Sequence, residues 1–210
     1  MKRQRFFIHL VVVGLMIHLS VVSVCFAGSE ITSQLKGTID KVIKVVKDEA
    51  LKNDRQARRA ALRKTIDERF NYRQMVMRSL AKNWDLRSAE EQQVFIGLFK
   101  SLLENSYANK LESFSDEKII YLDEVIKGEY ALVKTEVVRK ATTMAVDYKL
   151  IRENGVWKVY DFVIEGVSMV RNYRAQFTKI IHKHSYEILV QKLTDKINAL
   201  KEGAGSPEKL

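Results

Sequence analysis

Apolar residues recur every three or four positions in the first part of the chain. They then alternate with polar ones, and finally return to helical spacing. Over residues 29–51, Ile31, Leu35, Ile39, Val42, Ile43 and Val46 form one helical stripe. Asn53 and Asp54 can cap a second helix with Leu62, Ile66 and Phe70 inward and Arg55, Arg58, Arg59, Arg63 and Lys64 on a solvated face. Asn71 starts a short helix carrying Tyr72, Met75, Val76 and Leu80, and Trp84 follows in a polar loop. Ser88 and Glu91 have the spacing of a capping box. The helix they open, over residues 89–111, sets Val94, Phe95, Leu98, Phe99, Leu102 and Leu103 on one broad face. Such a face is either packed core or the wall of a cavity, and periodicity does not separate the two.

From Lys118 the period becomes two. Strands are predicted over residues 119–126, 130–139, 144–150 and 156–164, turning at Lys127-Gly128, at Lys140-Ala141-Thr142 and at Asn154-Gly155. Short connections make these neighbours antiparallel. Glu165-Gly166-Val167-Ser168 forms a corner, with Ser168 as the cap of the next helix. That helix carries Val170, Tyr173, Phe177, Ile180 and Ile181; a break at His184-Ser185 leads to a last one with Ile188, Leu189, Leu193 and Ile197. The order predicts an α+β domain, with several helices packed on one face of a curved antiparallel meander of about four strands.

The ends change the domain limits. Lys2, Arg3 and Arg5 precede an apolar run over residues 6–24, and Cys25-Phe26-Ala27 fits a cleavage site. Residues 1–27 are therefore expected to be a signal peptide cut after Ala27. An uncleaved anchor is the alternative, weakened by His9 and His18 inside the run. Val24 stands where a lipoprotein would have a small residue before the cysteine. The folded domain is expected over residues 28–201. Residues 202–210, with Gly203, Gly205 and Pro207, are expected to be a disordered tail.

Cleavage lowers the formal charge from +10 to +7 by removing three cations, and removes the chain's one cysteine. No disulfide and no thiol catalysis remain. A basic exported protein points to anionic lipid head groups or an acidic protein face rather than nucleic acid, or to solubility alone. The chain has no phosphate loop, GxSxG or HExxH. His182 and His184 are two apart on a helix and face different ways, so no metal site is expected. Asp147, Asp161 and Glu165 are the carboxylates of the central strands. Alternation turns Asp147 and Asp161 towards water, paired with Lys149, Lys158 or an arginine. Glu165 sits less clearly, at the corner. In a cone-shaped α+β fold an enclosed Glu165 or Asp147 could instead serve as a general base towards a hydrophobic small molecule.

VDYKL at residues 146–150 and WKVYDFVIEGVSMVRNYRAQF at residues 157–177 carry a resemblance. So do Phe70-Asn71-Tyr72 with Met75, Leu80 and Trp84, and the series Glu91, Phe95, Phe99, Leu102, Leu103, Tyr107. Over residues 42–193 the chain resembles the MlaC family, also called toluene-tolerance auxiliary proteins. It departs at Asn71, where an Asp is usual. It has Thr143-Met144-Ala145 where a proline is common, and lacks a glycine around Ser79-Leu80-Ala81.

The resemblance implies a soluble, monomeric periplasmic carrier of phospholipid that is not an enzyme and needs no cofactor beyond its lipid cargo. Acyl chains would lie between sheet and helices with the head group near solvent. Partners would be an inner-membrane ABC transporter with an MCE-domain protein and an outer-membrane lipoprotein-porin complex, the whole maintaining outer-membrane lipid asymmetry. The candidate lining from the helices is Met75, Phe95, Phe99 and Leu103. From the strands it is Val133, Met144, Val146, Tyr148, Tyr160, Phe162 and Ile164. The corner and the following helix add Val167, Val170, Tyr173 and Phe177. Each could equally be dry core. About 30 methylenes at roughly 0.8 kcal/mol each give a gross transfer term near ~24 kcal/mol, so a carrier needs only a pocket as apolar as the bilayer. A non-catalytic adaptor or chaperone using the Arg55, Arg58, Arg59 and Arg63 face is a further alternative, as is docking by that face within the carrier reading.

Overall fold

The computed structural model describes residues 29–114, 116–140, 142–203 and 210. The expected signal peptide and tail residues 204–209 lie outside the described residues. Among the described residues six α-helices each begin on a side-chain cap, which satisfies amide groups that the helix leaves open. Ser29 caps α1 (Glu30–Val46), Asp54 caps α2 (Arg55–Asp67) and Asn71 caps α3 (Tyr72–Leu80). Ser88 and Glu91 close a full capping box on α4 (Ala89–Glu112). Ser168 caps α5 (Met169–Lys183) and Ser185 caps α6 (Tyr186–Lys201). Each cap contributes about 1 kcal/mol.

The middle of the chain forms β1 (Lys118–Lys127), β2 (Tyr130–Arg139), β3 (Thr142–Glu153), β4 (Val156–Ile164) and β5 (Val167–Ser168), an antiparallel sheet in sequence order. The fifth strand goes beyond the four expected. It exists because Glu165 and Gly166 both take positive φ, 48° and 76°, as Asn154 and Gly155 do at 51° and 78°. Consecutive positive φ angles make a hairpin turn, so the corner folds Val167 and Ser168 back onto β4 before α5 begins.

Two apolar clusters result. In one, Ile31 and Leu35 of α1 cover Ala131, Val133, Leu150, Trp157 and Val159 of the sheet. The other lies among α3, α4, α5 and α6, where Phe99 meets Tyr173 at 5.2 Å and Phe95 meets Phe177 at 5.4 Å, both edge-on. Phe70 packs against both clusters. Its place is fixed by main-chain bonds on either side: Val159 donates to Arg69 O and Asn71 donates to Val159 O, each at 2.8 Å.

Three expectations change. Trp84 is 4% exposed and belongs to the helical cluster, because a short helical turn over residues 81–83 carries its ring inward. The face of α2 is solvated only in part: Arg55, Arg63 and Lys64 are exposed, whereas Arg58 and Arg59 are part-buried, and all four arginines approach acids of α4. Arg59 and Arg55 reach Glu112 of α4 at 2.7 and 3.3 Å, Arg58 approaches it at 3.9 Å, and Arg63 reaches Glu104 at 3.0 Å. Asp161 does not face water: it is 3% exposed. Alternation does put it on the face opposite Phe162, but β5 and the first turn of α5 cover that face.

Candidate functional site

Cross-strand pairs share a face of a sheet. Val133 pairs with Tyr148, and Tyr148 with Phe162; Thr135 pairs with Val146, and Val146 with Ile164; Val137 pairs with Met144. Six candidates, Val133, Met144, Val146, Tyr148, Phe162 and Ile164, therefore stand together on the face that α1 covers at its other end. Tyr160 leaves this group. The register passes from Lys149–Asp161 to Leu150–Val159, so Tyr160 is the extra residue of a bulge. Its ring lies 4.4 Å from the Arg78 guanidinium and 6.0 Å from the ring of Tyr130, on the opposite face.

The shared face is only partly covered. Val133 and Val146 are buried, Tyr148, Phe162 and Ile164 are half-buried, and Met144 is 40% exposed. Burial nonetheless pushes the Tyr148 phenol up to about 12. Tyr121, on the same face through its pairing with Thr135, is also raised by burial, and its hydroxyl meets no protein hydrogen-bond partner. The α1 stripe continues past buried Ile31 and Leu35 to Val42 and Val46, which are only half-buried.

The helical candidates pack differently. Met75, Phe95, Phe99, Leu103, Val170, Tyr173 and Phe177 are all buried against one another in the helical cluster. These side chains fill space rather than line it. Val167 lies 53% exposed at the corner.

Between the two groups stands Tyr107 of α4. Its ring meets Phe162 edge-on at 5.5 Å, and Phe162 in turn meets Phe70 at 6.3 Å. Beyond Tyr107 opens a cleft of about 780 Å³ between the end of α4, the β4–β5 corner, α5 and α6. Ile164, Val167, Met169 and Ile180 give it an apolar floor, and Lys110, Lys179, Lys183 and Lys192 stand around it. Ile164 belongs both to this cleft and to the shared face. Sequence reasoning left out Tyr107 and the lysines. The available signal was Lys179 and Lys183, four apart on a helix without a single acid.

Two of the three candidate carboxylates are engaged structurally. Asp161 binds Lys149 at 3.0 Å, accepts from Ser168 Oγ at 2.7 Å and from the Val170 amide at 3.1 Å. Glu165 accepts from the Ala145 amide, and its own amide donates to Ala145 O at 3.0 Å. Asp147 lies on the face opposite Tyr148, paired across the strands with Lys134 and Val163. Burial raises the carboxyl of Glu104, but that group is held between Arg63 and Lys100 on the side of α4 towards α2. Among the described residues no group of three or more His, Cys, Asp or Glu could hold a metal ion, and no helix is long and apolar enough to cross a membrane.

An open antiparallel sheet with one apolar face partly covered by helices, and beside it a cleft lined by lysines, defines an α+β protein. The chain belongs to the MlaC protein family, whose profile matches residues 36–195. It is 26% identical over 149 residues to the intermembrane phospholipid transport system binding protein MlaC of Haemophilus influenzae, covering 68% of this chain and 70% of the relative. It is also similar to the solved phospholipid-binding protein of Ralstonia solanacearum in complex with a phospholipid. There the TM-score is 0.75 and the identity 25%, over 80% of this chain and 97% of that one.

Proposed function

We propose that this chain is a periplasmic phospholipid carrier. It takes acyl chains into the hollow between the sheet face of Tyr148 and the helices. It passes lipid between an inner-membrane ABC transporter with an MCE-domain protein and an outer-membrane lipoprotein-porin complex, and so sustains outer-membrane lipid asymmetry. The observation that carries this reading is the partly covered apolar sheet face of Val133, Val146, Tyr148, Phe162 and Ile164, which meets the cleft at Ile164. The phospholipid in the Ralstonia relative supports it. Chemistry on the cargo is not part of the reading, since Asp161 and Glu165 are engaged in holding the corner.

Exchange with a bilayer follows from the nature of the contacts. An apolar wall offers acyl chains about what the membrane offers them, so transfer is near balance and the direction comes from the partners. The four α2 arginines are bound to Glu112 and Glu104, so docking through them would compete with those ion pairs. The test is native mass spectrometry of the mature protein purified from cells that export it. Stoichiometric phospholipid retained after washing is expected, on a monomer whose N-terminus begins after Ala27. Protein that is always empty and takes up no lipid from vesicles would sink the reading.

A further inference from the structure

The positive charge of this chain is used in two ways. On α2 it is spent internally, on Glu112 and Glu104. Around the cleft it is not: among the described residues Lys110, Lys179, Lys183 and Lys192 form no ion pair, and all four are exposed, Lys110 lying 5.6 Å from the centre of the Tyr107 ring. They stand on three different helices, α4, α5 and α6, and converge on one depression. His184 adds a further nitrogen to the rim. Among the described residues Glu165 is the one acidic side chain there, and it binds the Ala145 amide; Leu210, the last residue, also lines the cleft. Lysines near helix C-termini are common because they meet the negative end of the helix dipole. That explains Lys110 and Lys183, in the last turns of α4 and α5. It does not explain Lys179 or Lys192, nor why all four surround an apolar floor.

An apolar floor with a cationic rim is complementary to an amphiphile whose polar end is an anion. We propose that this cleft receives the head group of the lipid, and that the protein selects phospholipids of net negative charge over zwitterionic ones. The proposal rests on the carrier reading, and gives it a specificity. The geometry supplies the route. Ile164 is shared by cleft and hollow, and Tyr107 against Phe162 marks the boundary. Acyl chains beyond that boundary leave the phosphate and its substituent among the lysines. A zwitterionic head group brings its own cation to the same rim and gains little there. Exposed contacts of this kind are individually weak and screened by salt, so the selection is modest and depends on ionic strength.

The experiment uses the mature protein and mixed vesicles containing equal amounts of phosphatidylglycerol and phosphatidylcholine with identical acyl chains. Both lipids share one surface, so attraction to the vesicle as a whole cancels. Native mass spectrometry then reads the ratio of the two lipids bound. An enrichment of phosphatidylglycerol on the order of fivefold is expected at low salt. It should fall towards onefold at high salt, and in the variant Lys110→Gln/Lys179→Gln/Lys183→Gln/Lys192→Gln. Lys44→Gln/Lys47→Gln, which removes two exposed cations outside the cleft, should keep the enrichment. Uptake in the vesicle ratio by the wild type, or an unchanged enrichment in the fourfold variant, would overturn the proposal. So would loss of the enrichment on adding millimolar glycerol phosphate, which would assign the cleft to free phosphate esters. Absence of any lipid would instead count against the carrier reading itself.

Discussion

Glu165 grips Ala145 from both ends: its amide donates to the Ala145 carbonyl at 3.0 Å, and its carboxylate accepts the Ala145 amide. This double hold ties the β4–β5 corner to β3, and it is why a residue with a side chain tolerates φ of 48° there. Left-handed backbone costs a non-glycine residue about 1–2 kcal/mol, and the carboxylate bond returns about 1 kcal/mol. Glu165→Ala keeps the strain and loses the bond, so urea unfolding should find it about 1 kcal/mol less stable than the wild type. Glu165→Gly loses both and should lie within ~0.5 kcal/mol of the wild type. If Ala proves no worse than Gly, the bond contributes nothing.

Asp161 is the anchor on the other side of the same corner. It neutralises Lys149, takes the Ser168 hydroxyl and caps the amide of Val170. Removing one partner of a buried pair costs about 3–5 kcal/mol. Lys149 keeps 30% of its side chain exposed and can partly rehydrate, which puts Asp161→Ala at the lower end, about 3 kcal/mol. Lys149→Met added to Asp161→Ala should recover part of that loss in a double-mutant cycle. Simple additivity would mean that the pair is not coupled.

Much of this fold is legible in the chain. The caps Asp54, Asn71, Ser88, Ser168 and Ser185 stand where helices begin, because an oxygen two or three residues before an open amide is a local requirement. Asn154-Gly155 sets the hairpin for the same local reason. What failed was non-local. Asp161 alternates onto the face opposite Phe162, but nothing near it in sequence says that α5 returns to cover that face. Arg58 and Arg59 of α2 read as solvent-facing until α4 supplies Glu112. Tyr160 leaves its expected face through a bulge that strict alternation does not contain. In the site, apolar spacing identified which residues turn inward. Whether each is then fully packed, as Phe99 is, or left partly uncovered, as Tyr148 is, depends on the distance between elements.

Alkaline stability should follow from the tyrosines. Burial pushes Tyr173 up to about 12, whereas an unfolded tyrosine titrates near ~10. The folded state therefore holds its proton over a range where the unfolded state has lost it. By linkage, this contribution is fully present below about pH 10 and is lost as pH rises towards about 12. Tyr173 is 2% exposed, and the loss from this group alone amounts to roughly 3 kcal/mol. Tyr173→Phe should unfold at higher pH than expected from its stability at pH 7, while the wild type falls steeply between those limits. Parallel alkaline curves for the two proteins would refute the assignment.

The hollow itself can be tested by overfilling. A packed core resists added volume at a cost of about 1–3 kcal/mol, whereas a hollow accepts it. Leu102 is 1% exposed inside the helical cluster, so Leu102→Trp should lose about 1–3 kcal/mol. Ile164 is half-buried where hollow and cleft meet, so Ile164→Trp should stay within ~0.5 kcal/mol of the wild type in denaturant titration. The same variant should lose most of its bound phospholipid, because the indole would block the proposed route of the acyl chains beside Tyr107 and Phe162. Stability and lipid content thus move in opposite senses between the two variants. If Ile164→Trp unfolds as readily as Leu102→Trp, the space around Ile164 is already filled. If it is stable and keeps its lipid, the acyl chains enter by another route.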